Sequence, residues 1–368
     1  MQNATTPQRL HSLDALRGSD MFFIMGGEGL IIALAALFPD SAFMQTMGKH
    51  MLHVDWHGFH FMDLVFPLFL FISGVTFPLS LASQRQKGMT DFQITLRIVR
   101  RGLMLVLFGL LYNGILSCTD LANFRYASVL ARIGLAWMLA ALLQMWVGKK
   151  VCRWLIPVLL LGYWALLVAF PVEGMNPYSM EGCFVGRIDR VLLPGRLYLG
   201  IHDPEGWFGL IPSTATALLG IEAGRLLAES RLSGSRKSLI LIVAGITAIG
   251  IAMLWDIVMP INKNLWTSSF VMITAGWSSI LLGVFYQIID VWGFRKWAFV
   301  PAVIGMNSIT IYLAQEFIDF YHTSRAIFTL PISFLPESLH PVMGWVAYIV
   351  TCWTFLYILY LKRIFLKV

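Results

Sequence analysis

Four histidines, His50, His53, His57 and His60, fall at steps of three, four and three residues just before an apolar stretch that opens Asp63-Leu-Val-Phe-Pro67. Imidazole is the side chain whose ordinary pKa lies nearest neutrality, so a cluster of it beside a membrane span points to proton transfer or metal chemistry. On a helix this spacing would put all four rings on one face, as a zinc or copper site requires. Gly58 weakens a helix there, and no HExxH or cysteine-containing signature accompanies the cluster. The expectation is therefore one catalytic histidine with structural or solvated neighbours and no assigned metal, with a metal or redox protein as the rival reading.

The other polar residues worth following lie in or beside apolar runs, where a charge costs about 2.5 to 3.5 kcal/mol on the lenient insertion scale. Glu28 is flanked by Gly26, Gly27 and Gly29, which allow another backbone or a ligand to come close. Arg125 and Arg132 are seven residues apart, two turns on one helix face, and are expected to form a ladder for an anionic or hydroxyl-rich ligand. The structural alternative pairs them with carboxylates such as Asp189 or Glu28. Between about 172 and 206, a loop holding Asp189, Arg190, Asp203 and Glu205 is rich in charge, aromatics and turn formers, which suits sugar recognition or simple capping of a bundle. Lys263 and Asn264 sit in a short turn before Trp266. Asn307 and Ser308 lie within an apolar run, where helix-helix glue competes with ligand contact.

The elements that must position these groups follow from composition. With 58% hydrophobic and only 13% charged residues, the 368-residue chain uses lipid as its solvent. Ten segments are near the roughly 20 residues a spanning helix needs. They are Arg17–Phe38, Phe61–Ala82, Arg97–Ser117, Ala127–Val147, Arg153–Pro171, Trp207–Leu227, Leu239–Val258, Trp266–Ile289, Ala298–Phe320 and Val342–Leu361. An all-α polytopic bundle is expected, with residues 1–368 as a single domain.

A cytoplasmic N-terminus places 19 of the 27 Lys and Arg residues, Arg9 and Lys367 among them, on the inside. Both termini are then cytoplasmic and the histidines face outward. The net charge of +7 reflects this topology and anionic lipid, so no nucleic acid is needed. The first 16 residues are polar and the first apolar run holds Asp20 and Glu28, so a retained span is expected rather than a removable signal. Cys118, Cys152, Cys183 and Cys352 have no metal spacing and no disulfide framework, although Cys118 and Cys183 could meet outside.

Several motifs occur together in order: Arg9-Leu-His-Ser-Leu-Asp14-Ala-Leu-Arg17-Gly18, His53-Val-Asp-Trp56-His-Gly58 followed by Asp63-Leu-Val-Phe-Pro67, and Val129-Leu-Ala-Arg132-Ile-Gly134. Asp189-Arg190-x-Leu-Leu, Asp203-Pro-Glu205-Gly206, Leu219-Gly-Ile-Glu-Ala-Gly224, Pro260-Ile-Asn-Lys-Asn-Leu-Trp266 and Gly305-Met-Asn307-Ser308 follow. Spread over nearly the whole chain, they resemble the transmembrane acetyltransferases typified by heparan-alpha-glucosaminide N-acetyltransferase, in particular the bacterial NagX-like branch. The resemblance implies acetyl transfer from cytoplasmic acetyl-CoA to a glucosamine amine across the membrane, with His53 as the catalytic histidine. Glu28 stands where the family has a helper asparagine, and Ala131 where the animal enzymes have a glutamine, so the helper's role and the acceptor are open. The compact length and the lack of a lysosomal targeting extension favour a bacterial inner membrane.

Chemically, His53 would hold the amine neutral and take its proton, while Glu28 orients the imidazole, stabilises its charged form or grips the ammonium. An acetyl-histidine relay is the rival route. Oxyanion donors are sought in Asn264, Asn307 or Arg132. The acceptor site is expected to draw on Asp63, Arg125, Arg132, Asp189, Arg190, Asp203, Glu205 and Trp56. Acetyl-CoA, the co-substrate, would use Arg17, Arg97, Arg101, Lys263, Asn264, Asn307 and Ser308, with Arg100 and Arg236 as further head-group candidates. Expected partners are an amino-sugar acceptor, acetyl-CoA, membrane lipid and a second copy of the chain. An amino-sugar transporter is the alternative from another class, but its cue, matched interrupted spans in two halves, is not legible in the sequence.

Overall fold

The computed structural model describes residues 10–366, so Arg9 and Lys367 lie outside the described residues. Helix dominates throughout them, and the one β-bridge, Arg125 to Gly195, is isolated. The first apolar run is a helix pair, α1 (His11–Phe22) and α2 (Glu28–Leu37), joined by a π-turn in which Gly26 takes a φ of 117°. Only glycine adopts that conformation without strain. A short α3 (Ala42–His50) leads to the long α4 (Met62–Gln86), and α5 (Asp91–Tyr112) opens with a Thr90/Gln93 capping box.

Beyond α5 come α6 (Val129–Trp146), α7 (Lys149–Ala169), a short α8 (Phe184–Leu192), α9 (Leu210–Ala228), α10 (Gly234–Asp256) and α11 (Ser268–Phe285). The chain ends in α12 (Phe299–Met306), α13 (Ser308–Phe317), α14 (Phe320–Ser333) and α15 (His340–Leu361).

Among the described residues, seven helical segments are long and apolar enough to cross a membrane, which makes this a helical integral membrane protein. The three expected spans outside that set have visible reasons. α5 carries Arg97, Arg100 and Arg101, α9 carries buried Ser213, Thr214 and Thr216, and the Ala298–Phe320 run is broken at Asn307 into helices of 8 and 10 residues. Two helices are thus interrupted, at Gly26 and at Asn307, a feature the apolar pattern hid.

Small residues bring the helices together where lipid offers no hydrophobic drive. A Cβ on Gly18 of α1 would fall 1.6 Å from the Pro301 carbonyl oxygen, and one on Gly305 of α12 would fall 1.9 Å from that of Asp14. Gly74 of α4 meets α9 in the same way, 2.2 Å from the Ala217 oxygen. The last contact sets α9 against one face of α4, and the other face of α4 lines a cavity. The four cysteines are all free, including Cys118 and Cys183.

Candidate functional site

His50 is the last residue of α3, and the chain then leaves helical geometry until Phe61, with Gly58 at a φ of 117°. The segment is thus not the helix that would put all four rings on one face, as Gly58 suggested. Three rings take separate polar partners, His53 with Asp63, His57 with the Asn262 amide at 3.3 Å and His60 with the Leu52 carbonyl at 2.8 Å, while the His50 ring packs edge-on against that of His60 at 5.2 Å. Burial depresses the His57 pKa, against the pull of Asp256. His50 and His60 thus adjoin each other, whereas His53 and His57 turn to partners of their own.

His53 is the ring that opens onto the cavity. Its Nδ1 lies 2.7 Å from Asp63 Oδ1, and the side chain is 54% exposed while Asp63 is fully buried in the first turn of α4. The second Asp63 oxygen accepts from the His60 backbone N–H at 3.0 Å. A carboxylate held in this way accepts the Nδ1 proton and leaves Nε2 as the basic atom. Lys263 Nζ completes the cluster, 3.0 and 3.2 Å from the two ring nitrogens and 3.4 Å from Asp63 Oδ1. Burial lowers the Lys263 pKa, opposed by the charges of Asp63, Glu205 and Glu28. The hydrogen-bonded carboxylate partner of His53 is thus Asp63, whereas Glu28, half-buried at the start of α2, acts on His53 and Lys263 through its charge.

Lys263 is presented by a tight turn. Asn262 Oδ1 accepts from Leu265 N at 2.8 Å, and Trp266, 1% exposed, holds a left-handed φ of 52°. Such a backbone costs about 1–3 kcal/mol and persists only where the surroundings enforce it. His202, fully buried, fixes the turn from the other side, its Nε2 lying 3.0 Å from the Asn264 carbonyl.

The 125–132 ladder does not form. Ser128 is extended and caps α6, its hydroxyl accepting from Ala131 N at 3.1 Å, so Arg125 precedes the helix. Both arginines nevertheless reach the same loop. Arg125 forms a bidentate pair with Asp203 at 2.7 and 2.9 Å, bonds Glu205 and covers the Tyr198 ring at 4.4 Å. Burial works against both charges, yet the pair keeps Asp203 below the ordinary carboxylate range and Arg125 above its ordinary value. Arg132 is buried, donates from Nη2 to the Gly206 carbonyl at 2.6 Å and faces the Trp266 ring.

A cavity of about 1040 Å³ adjoins this cluster. His53, Arg125, Tyr198, Glu205, Lys263 and Asn264 line one part. Along α4 it runs past Met62, Val65, Phe66 and Phe69 to Ser73, Thr76 and Ser80. Eighteen residues of helix are about 27 Å, close to the roughly 30 Å of a hydrocarbon core. The far part is lined by Arg17, Arg101, Asn307 and Ser308. Arg101 stacks on Trp137 at 4.3 Å, and Trp137 Nε1 donates to the Ser73 carbonyl.

Several expected site residues stand off this cavity. Arg97, Arg100 and Arg236 are exposed elsewhere, Asp189 is buried behind Gly206, and Arg190 caps the Ile201 carbonyl. Arg132 and Trp56 support neighbouring loops, Trp56 through a 2.7 Å bond to the Tyr178 carbonyl. Asn307, by contrast, does line the far part of the cavity, where its amide donates to the Ile364 carbonyl at 3.0 Å. The residues that reading the sequence missed are Ser73, Thr76 and Ser80, whose helical spacing was a usable signal, and the stacked pair Tyr112 and Tyr312, whose rings are 4.6 Å apart and which had none.

Fold and site together define a polytopic helical membrane protein with a His–Asp–Lys cluster at one end of an intramembrane cavity and arginines toward the other. Residues 9–181 match a family model described as a domain of unknown function, DUF5009. The chain is similar to heparan-alpha-glucosaminide N-acetyltransferase, at 28% identity to the Homo sapiens protein over 98% of this chain and 60% of the relative. The Mus musculus protein is also 28% identical, over 86% of this chain and 56% of the relative. The chain thus spans 60% or less of the length of these curated relatives.

Proposed function

We propose that this protein is a transmembrane acetyltransferase that carries acetyl from cytoplasmic acetyl-CoA to the amine of a glucosamine-type sugar on the outer face. The observation that carries this reading is the cavity, which starts at the His53–Asp63–Lys263 cluster, follows about 27 Å of α4 and has Arg17 and Arg101 on its wall. A thioester delivered from one side can meet an amine arriving from the other.

Asp63 holds His53 in the tautomer whose Nε2 is basic, and Nε2 accepts the amine proton as the carbonyl is attacked. Glu28 and Glu205 supply negative charge for the acceptor ammonium. Asn264, beside His53 on the cavity wall, is the oxyanion donor best placed among the three considered, since Arg132 lies off the cavity and Asn307 belongs to its far part. Arg17 and Arg101 attract the phosphates of the donor.

Ten crossings with both termini in the cytoplasm fit this direction of transfer, and residues 1–368 would act as one domain in a bacterial inner membrane. The start of α1 lies on the same side as the basic Arg295 and Lys296, since the backbone N–H groups of His11 and Ser12 bond Asp290 just before them. Purified protein in proteoliposomes, given acetyl-CoA on one side and glucosamine on the other, should form N-acetylglucosamine. His53→Ala should abolish it while the protein remains folded, and full activity in that variant would overturn the proposal.

A further inference from the structure

Lys263 occupies the place that a substrate amine would need. Its Nζ lies within 3.2 Å of both His53 nitrogens and 3.4 Å from Asp63, with Glu205 and Glu28 in electrostatic reach, and it faces the cavity. That is the environment of an acceptor ammonium beside its base. The strained turn at Trp266 and the Asn262 and His202 bonds hold the lysine there, so its position does not depend on a freely rotating surface chain.

We propose that Lys263 is a self-acetylation site, the amine that takes the acetyl group when donor is bound and no sugar is present. This rests on the acetyltransferase reading. In the step, the neutral Nζ attacks the thioester carbonyl, a C–N bond forms and the C–S bond breaks. The ammonium first gives one proton to solvent; the neutral amine then gives up one more, which passes through His53 to the departing thiolate and yields free CoA thiol. Reacting atoms about 3 to 3.5 Å apart suffice for such an attack. Burial also favours the neutral amine that the step requires.

The product is a neutral amide lying against the His53–Asp63 pair, which removes the lysine's ion pair with Asp63 and blocks the acceptor position. A sugar amine that displaces Lys263 would protect it. The modification therefore couples lasting activity to acceptor supply.

The test is peptide mass spectrometry of the full-length protein in detergent after incubation with acetyl-CoA, with and without excess glucosamine. Lys149 and Lys150, exposed at the start of α7, report non-enzymatic acetylation. Lys263 is expected to gain acetyl at least about tenfold faster than that pair, glucosamine should slow this, His53→Gln should bring it to the surface rate, and Lys263→Arg should show none at 263. Should His53→Gln fail to fold, protection by glucosamine in the unaltered protein still decides. Labelling no faster than Lys149 and Lys150, or indifferent to glucosamine, overturns the inference. CoA release onto glucosamine in the same samples separates the two claims: release with Lys263 unmodified sinks self-acetylation alone, whereas neither release nor modification sinks the acetyltransferase reading with it.

Discussion

His53 Nδ1 and Asp63 Oδ1 are 2.7 Å apart, joining an exposed ring to a carboxylate that is fully buried. Burying a carboxylate is costly unless it is paired, so the ring's orientation is set by the need to satisfy Asp63. Asp63→Asn keeps the shape but can present an N–H where the ring needs an acceptor, favouring the wrong tautomer. Turnover should fall by about 10²- to 10⁴-fold with little change in donor KM. Steady-state CoA release measures this, and a loss confined to KM would show that Asp63 binds substrate instead.

Arg101 lies against Trp137 on the cavity wall, whereas Arg97, one helical turn earlier, is exposed and off it. Arg101→Gln should raise the KM for acetyl-CoA about tenfold, the equivalent of about 1.4 kcal/mol, with kcat nearly preserved. Arg97→Gln should shift it much less. Equal shifts would mean that both act through the general surface potential.

The Arg125 fork on Asp203 anchors the loop that carries Tyr198 and Glu205 to the cavity. Asp203 is fully buried, so Arg125→Ala leaves it without its cation and should destabilise the protein by about 3 kcal/mol. Lysine cannot reproduce the two-pronged contact, so Arg125→Lys should recover only part of the loss. Thermal unfolding of the single variants and of Arg125→Ala with Asp203→Asn should show strong non-additivity.

Burial pushes the His202 pKa down to about 4 from the ordinary 6.5. The folded state therefore binds its proton less readily than the unfolded chain. The stability this group contributes is complete above about pH 6.5 and is lost as pH falls toward about 4. Asp189 has the opposite sign: burial raises it to about 6 from 3.8, so its contribution is present below about 3.8 and lost as pH rises through about 6. Each window is worth about 3 kcal/mol at most. Unfolding temperature followed against pH should lose part of its acid-side fall in His202→Gln and part of its decline toward neutrality in Asp189→Asn. Unchanged profiles would mean that neither group titrates on unfolding.

Composition alone determined that the chain lives in lipid, because a sequence so apolar cannot hide its side chains in a soluble core, and hydropathy placed most of the helices. His53 and Asp63 were each visible as polar groups at the mouth of a span. Their pairing was not visible, because period arguments assume continuous helix. The helix before the histidine segment ends at His50, and α6 begins only after the Ser128 cap, so neither the histidine nor the arginine pattern lies on one helix. The breaks at Gly26 and Asn307 were equally hidden, since an interrupted helix has the same hydropathy as an intact one. Lys263 is 210 residues from His53, and only the packing of the 259–267 turn against the histidine loop decided that its amine lies beside that ring. Sequence spacing fixes neighbours within one helix; contacts between distant segments follow from how glycine-lined helices pack, a property of the assembled bundle.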